Sequence, residues 1–508
     1  MNGMVLALDQ GTTSSRALLF DSQLNLVAQE QRAFESHYPQ SGWVEQEPED
    51  LWKTTLDSAT AVLKSSGVTA QALSAVGIAN QRETTLLWDR QSGKPLHRAL
   101  VWQDRRTAEL CDRLRAEGYE AAVSERSGLR LDPYFSASKL AWLLEHVEGA
   151  RAKAEAGKLA FGTVDSWLIW KLTGGQHHVT DITNAARTAL FNIHDQRWDE
   201  ALLDLFDIPA ALLPQVLPNQ ADFGSCLAER LGAAVPILGV AGDQQAASIG
   251  QACFSPGMTK ATYGTGAFVL MNSGESAIAS QNRMLTTIAY QIGKQLHYAL
   301  EGAVFIAGAA VQWLRDGLQL IESAEQSGSL AATADPSQRV TLVPAFTGLG
   351  APYWDSGARG ALFGLTRNTG PAEIARATLE SIAFQSQDLL IAMSEDAAAQ
   401  GLARIGPQLR VDGGLSASDW TMQKLADITR LRVERPALTE TTALGAAYLA
   451  ALGAGLAPAP EAWASRWQRA AAYHPRMDEA SRSAALNRWQ DAVSRTRSQQ
   501  RQQPPAAQ

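Results

Sequence analysis

Two stretches far apart in the chain share one plan, and that repetition constrains the fold more than any other feature. Near the start, "VLALDQGTTSSRALLF" places the apolar runs Val5 to Leu8 and Ala17 to Phe20 on either side of an acid, a glycine and four hydroxyl residues. In the middle, "MTKATYGTGAFVLMN" (258 to 272) flanks Gly264, Thr265 and Gly266 with two more β-like runs. Short apolar runs bounded by turn-formers read as buried strands, so each stretch predicts a hairpin. A third glycine turn lies in "LRVDGGLSASDWTMQKLADIT" (409 to 429), a strand, a Gly-Gly turn and a helix. That arrangement aims backbone N–H groups and a helix N-terminus at a ligand.

Between these landmarks, strands alternate with helices. "LSAVGIANQ" (73 to 81) and "TTLLWD" (84 to 89) read as strands, and "EDLWKTTLDSATAVLKSSG" (49 to 67) as a helix closed by Gly67. "DSWLIWKLTG" (165 to 174) predicts a helix with an Asp cap and a Gly stop, its tryptophans in the core. "VPILGVAGDQQAASIGQ" (235 to 251) predicts a strand, a turn and a small-residue helix. "GAVFIAGAAVQWLRDGLQLI" (302 to 321) reads as mostly helical, and 371 to 393 as an amphipathic helix with Pro371 in its first turn. The pattern is α/β, and 508 residues exceed what one core holds. It predicts two related halves, 1–250 and 251–495, with the tail 496–508 left disordered by its Gln, Pro and Arg content.

The formal net charge of −8 supplies no basic surface for nucleic acid. Three scattered cysteines, Cys111, Cys226 and Cys253, suggest neither a disulfide framework nor a zinc site. With no secretory-type N-terminus and no apolar run long enough to cross a bilayer, a cytoplasmic protein without membrane insertion is expected. The adjacent His177 and His178 lack helical metal-site spacing and read as a polar surface loop.

The hydroxyl row Thr12, Thr13, Ser14 and Ser15 after Gly11 has two readings, a polar hairpin loop or a donor nest for phosphate oxygens. Asp9 would repel phosphate unless a divalent cation lay between them, and Mg²⁺ is usually held by one or two carboxylates plus phosphate oxygens. Neither G-x-x-x-x-G-K-[ST] nor a strand-linked G-x-G-x-x-G occurs. A nucleotide would therefore sit on hairpin loops. Two α/β halves with a phosphate hairpin in each describe the actin-like, RNase H-like ATPase plan, with the active site in the cleft between domains.

A run of motifs then carries a resemblance. "ALDQGTTSSRA" (7 to 17), "GWVEQ" (42 to 46), "NQRETT" (80 to 85), "VWQDRR" (101 to 106), "DPYFSASK" (132 to 139), "GDQQAA" (242 to 247), "YGTGAF" (263 to 268), "PAFTGLGAPYWD" (344 to 355) and "VDGG" (411 to 414) occur in order. Over about Val5 to Gly455 the chain resembles the FGGY carbohydrate kinases, and "NQRETT" and "DPYFSASK" resemble the members that phosphorylate glycerol.

The resemblance implies transfer from ATP to glycerol, giving sn-glycerol 3-phosphate and ADP with Mg²⁺, in a homo-oligomer, dimer or tetramer. It implies Asp243 as the base, although alone that residue would read as a helix N-cap after Gly242. Arg82, Glu83, Tyr134, Asp243 and Gln244 would hydrogen-bond the substrate, with Trp102 and Phe268 against its carbons. Adjacent residues Arg82 and Glu83 can reach one ligand only if their strand ends or bulges there. Thr12, Thr13, Ser14 and Arg16 would form the first phosphate loop and Thr265 the second, with Gly308, Gln312 and Gly414 along the nucleotide. Asp9 and Asp243 would hold the metal. Ser418 stands near the adenine where the family commonly has Asn, and "FGSCLAERLGAAVP" (223 to 236) lacks both a Gly-Gly-Arg sugar-bisphosphate loop and a phosphorylatable histidine. The alternatives are a family member acting on a ketose or aldonate, or an actin- or chaperone-type ATPase without a small-molecule acceptor.

Overall fold

The structure, a computed structural model, describes residues 3–355 and 357–498. Its first sheet grows from the strand Met4–Gln10, whose residues from Val5 on are all buried. Ser14–Phe20 pairs with it antiparallel, Leu6 opposite Leu19 and Asp9 opposite Arg16, and Leu26–Ala33 continues the meander. On the other side Leu73–Asn80 and Val235–Gly242 add in parallel, and Ser225–Cys226 forms the edge.

The second sheet repeats this order. Thr259–Tyr263 pairs antiparallel with Ala267–Gly274, which pairs with Gln295–Val304 and then Leu285–Ile292. Gln408–Asp412 and Arg432–Pro436 add in parallel on the far side, and Arg469–Tyr473 closes the edge. In both sheets the central strand enters a hairpin and the parallel strands follow later in the chain. This topology places the hairpin turns and the ends of the parallel strands on the same side of each sheet.

Helices cover the sheets through apolar faces. Pro48–Ser66 buries Leu51, Ala59 and Val62 against the first sheet, and the 29-residue helix Pro371–Ala399 buries Leu379, Ile382 and Met393 against the second. Gly370 N–H donates to Glu373 Oε2 at 2.8 Å at the start of the long helix, satisfying one of its orphan donors. The helix Thr441–Gly453, late in the chain, packs on the first sheet and on the helix Asp243–Gly250. Its approach is backbone to backbone: a Cβ on Gly77 would meet Ala446 O at 2.2 Å, and one on Gly445 would meet Ala246 O at 1.8 Å. The late helix thus ties the second half of the sequence to the first sheet.

Several sequence expectations change. The first hairpin turn is only Gly11 to Thr13, so Ser14, Ser15 and Arg16 lie in the strand, and Gly11 does not adopt the left-handed conformation. "GAV" at 302 to 304, within the stretch 302 to 321, completes the strand Gln295–Val304, Phe268 opposite Ala303, and helix begins only at Gly308. A short apolar run suits strand or buried helix equally, and here pairing decides. Strand after "NQRETT" starts at Leu86 rather than residue 84. Asp165 is inside its helix, accepting from Thr163 at 2.5 Å and Thr180 at 2.6 Å, and Thr163 takes the N-cap position. His178 is half-buried, its Nε2 at 2.7 Å from Phe161 O and its ring against Trp88, and burial pushes its pKa down to about 4. The helix Glu479–Thr496 runs into the expected tail, where Ser498 N–H donates to Asp355 at 2.7 Å; residues 499–508 lie outside the described residues. Among the described residues no helix is long and apolar enough to cross a membrane.

Candidate active site

The strand Leu73–Asn80 stops just before "QRET", and Glu83 adopts φ 60°, a left-handed conformation that non-glycine residues take only where surroundings impose it. Arg82 and Glu83 therefore leave the sheet at a kink instead of alternating across it. Ser136 Oγ–H donates to Glu83 O at 2.9 Å and secures the turn.

Both side chains enter a buried charge lattice. Arg82 Nε lies 3.1 Å from Asp243 Oδ1, while its Nη1 reaches Glu301 Oε2 at 2.5 Å and its Nη2 reaches Glu301 Oε1 at 3.3 Å. Arg187, wholly buried, donates from Nε to Glu83 Oε1 at 2.6 Å and from Nη2 to Glu301 Oε1 at 2.8 Å. The two fully buried guanidiniums face two fully buried carboxylates, Glu83 and Glu301, with the more exposed Asp243 beside Arg82, so the ions share the cost of burial. Burial raises the Glu83 pKa despite Arg187 and Arg82, with Glu301 adding to the rise. Burial would raise Glu301 as well, but Arg187 and Arg82 outweigh it and hold that acid at about 2.

Asp243 opens the helix Asp243–Gly250 as its first residue, with Gly242 in the N-cap position. Its Oδ1 accepts from Gln244 N–H at 2.7 Å as well as facing Arg82. Gln244 is buried, its Oε1 taken by the Nζ of Lys260 from the second sheet, and that Nζ also donates to Thr262 at 2.9 Å. Half-buried aromatic rings stand in contact nearby: Trp102 meets Tyr134 edge-on at 5.6 Å and Phe268 at 6.2 Å between centroids. Arg187 lies 5.7 Å from the Tyr134 ring, so the aromatic group abuts the charge lattice.

The first hairpin turn joins this group through Trp102 Nε1, which donates to Thr12 Oγ1 at 3.0 Å. Gln46 Nε2 donates to Thr12 O at 2.7 Å and Gln81 Nε2 to Gln46 Oε1 at 2.9 Å, which fixes the turn's backbone. Thr13 is exposed and Ser14 half-buried, whereas Ser15 is buried with its Oγ 2.8 Å from Thr54 Oγ1. Arg16 is held by two carboxylates, Asp9 at 2.6 Å and Glu440. Burial raises the Asp9 pKa against the pull of Arg16, and Asp243 and Glu440 raise it further.

Across from this, Gly264, Thr265, Gly308, Gln312, Gly414 and Ser418 border one cavity of about 580 Å³. Gly308 N–H donates to Gly264 O at 2.9 Å, and a Cβ on Gly308 would meet that oxygen at 2.5 Å, so a side chain there would displace the second turn. Ser418 is the N-cap of the helix Asp419–Thr429; its Oγ accepts from Thr421 Oγ1 at 2.9 Å. An adjoining cavity of about 590 Å³, bordered by Arg16, Thr262, Asp412, Gly414 and Glu440, shares Gly414 with the first. The two volumes lie side by side between Ser418 and Arg16.

Asp9 fits a magnesium ion in kind: it is a buried carboxylate that burial and neighbouring acids disfavour, and Asp243 is close enough to act on it. Among the described residues no group of three or more His, Cys, Asp or Glu side chains could hold a metal alone.

Glu301, Arg187, Lys260, Asp412 and Glu440 were not expected from the sequence. The signal for Glu301 was a single acid inside the apolar strand "YALEGAV", and a charge buried there demands partners. Asp412 lies within the quoted "VDGG"; it accepts from Thr262 at 2.5 Å, Gln251 at 2.9 Å and Thr441 at 2.8 Å, which locks the Gly-Gly turn to the late helix.

The model of the FGGY family of carbohydrate kinases, N-terminal domain, matches residues 4–250, and that of the C-terminal domain matches residues 259–454. A glycerol kinase of Methylobacterium nodulans is 58% identical over 97% of this chain and 98% of its own. One of Allorhizobium ampelinum is also 58% identical, over 98% and 99%. In structure, Plasmodium falciparum glycerol kinase with ADP superposes with a TM-score of 0.91 at 34% identity, covering 97% of this chain and 98% of that one. A gluconate kinase from Lactobacillus acidophilus, at 21% identity and a TM-score of 0.85, shares the fold.

Proposed function

This chain belongs to the FGGY family of carbohydrate kinases, and from that premise we propose that it transfers the γ-phosphoryl group of ATP to a terminal hydroxyl of glycerol, giving sn-glycerol 3-phosphate and ADP. The observation that carries this reading is Asp243 Oδ1 at 3.1 Å from Arg82 Nε, beside the walls of Trp102, Tyr134 and Phe268. It is supported by relatives named glycerol kinase at 58% identity along nearly the whole chain.

In this account Asp243 takes the hydroxyl proton on its carboxylate as the oxygen bonds to phosphorus, and ADP departs with the former bridging oxygen. Arg82 and the helix backbone hold Oδ1, leaving Oδ2 for the hydroxyl. Arg187 holds one oxygen of Glu83, which leaves the other to accept from a second hydroxyl. Tyr134 and Gln244 complete the polar contacts, and Trp102 and Phe268 enclose the carbon chain, which a small neutral triol needs. The turn at Thr12, Thr13 and Ser14, with Arg16, receives the γ-phosphate side and Thr265 the β-phosphate side. Arg16 must let go of Glu440 to do so. Gly308, Gln312, Gly414 and Ser418 line the nucleoside path, with the Ser418 hydroxyl occupied as a helix cap. Asp9 and Asp243 would hold Mg²⁺, which when bound neutralises charge on the transferring phosphate. The working units are taken as 1–250 and 251–495, with transfer in the cleft between them.

Competition separates glycerol from the other substrates of this fold. With glycerol, xylulose and gluconate at equal concentration, glycerol is expected to be the alcohol phosphorylated. Fast phosphorylation of xylulose or gluconate with glycerol inert would overturn the substrate assignment.

A further inference from the structure

Lys139, in the helix Ser136–His146, is wholly buried and has no part in the chemistry above. Its Nζ donates to three consecutive carbonyls, Pro133 at 2.5 Å, Tyr134 at 2.9 Å and Phe135 at 2.9 Å. An ammonium has three N–H donors and no acceptor, so every donor is committed to one loop.

That loop forms part of the acceptor pocket. It carries the Tyr134 ring that meets Trp102, and Arg187 lies 5.7 Å from the Tyr134 ring and 5.4 Å from that of Phe135. The next residue, Ser136, holds the carbonyl of left-handed Glu83 at 2.9 Å, and Ser138 is tied to Thr107 at 2.8 Å. A tertiary contact could have closed this turn with apolar packing alone, but here a buried cation does so, at a cost that only its hydrogen bonds offset.

We propose that Lys139 is a positioning residue of the acceptor pocket: by gathering three carbonyls it holds Tyr134 and Glu83 in place and sets affinity for the alcohol without touching it. This rests on the reading of Arg82, Glu83 and Tyr134 as the alcohol site. The groups facing Lys139 are Glu83, Asp104 and Asp132, whose negative charge favours its protonated form, and the Cys111 thiol, which burial keeps neutral by pushing its pKa up to about 11; burial of Lys139 itself is the stronger effect and lowers its pKa to about 8. Raising pH through that value removes the charge and one N–H, so one of the three carbonyls loses its donor.

The test uses the full-length enzyme and measures KM for glycerol and for ATP from pH 7 to 9.5. In the wild type, KM for glycerol is expected to rise several-fold above pH 8 while KM for ATP stays level. Lys139→Met, close in volume but without donors, is expected to raise KM for glycerol about tenfold at pH 7, the order of one lost hydrogen-bonded anchor, with kcat and KM for ATP little changed. Lys139→Arg should recover part of the affinity and flatten the alkaline rise. A wild-type KM for glycerol that is flat to pH 9.5 would overturn the proposal even if Lys139→Met did not fold, as would equal losses toward glycerol and ATP. A wild type inactive on glycerol would instead refute the substrate reading, and the same comparison would then be made with the alcohol it does phosphorylate.

Discussion

Replacing Asp243 with Asn is expected to lower turnover by about 10²-fold or more, the scale of a positioned general base. The substitution keeps the shape of the side chain and its contact with Gln244 N–H, but an amide cannot take the hydroxyl proton. The cavities proposed for the nucleotide are bordered by Thr265, Gly308, Gly414 and Arg16 and not by Asp243, and Asp9 remains for the metal, so ATP binding is expected to change far less than turnover. Loss of turnover with a far smaller change in ATP affinity, read from steady-state kinetics and nucleotide titration, is the expected pair of results. Near-normal turnover would refute the role of Asp243.

The largest effect on stability is expected at Glu301. Its carboxylate is the common partner of Arg82 and Arg187, and Glu301→Gln leaves the two guanidiniums with one fully buried acid, Glu83, and the more exposed Asp243 beside Arg82. Removing one partner of a buried ion pair costs about 3–5 kcal/mol, because the remaining charge is stranded. The urea midpoint should fall accordingly. The pH dependence is signed. Glu301 is held at about 2 in the fold, below its ordinary 4.5, so its stabilisation is present above pH 4.5 and lost as pH falls toward 2. The variant should therefore lose less stability than the wild type across that window. An unchanged midpoint and an unchanged acid slope would show that the lattice contributes nothing.

Glu301 also marks where the sequence stopped being legible. The two hairpins were readable because Val5 to Leu8 and the runs around Gly264 have the length and composition of buried strands, and the sheets repeat one strand order as the shared plan implied. Thr265, Gly308, Gln312, Gly414 and Ser418, grouped beforehand only by the resemblance to the family, border one cavity. The charge lattice was not readable. Arg82 and Glu301 are 219 residues apart, and Arg187 and Glu83 are 104 apart, so nothing local announces either pair. The same holds for Arg16 and Glu440, 424 residues apart, where Arg16 looked free for phosphate but is held by two acids. Strand ends escaped prediction for a different reason: at "GAV" and "TTLLWD" the partner strand decides where pairing stops.

The most direct test of the account is ADP release by the purified protein in Mg²⁺–ATP, with and without glycerol, combined with mass identification of the product. The account predicts ADP formation that depends on glycerol and is matched mole for mole by glycerol 3-phosphate. ADP formation that is indifferent to glycerol, with no phosphorylated triol, would contradict it.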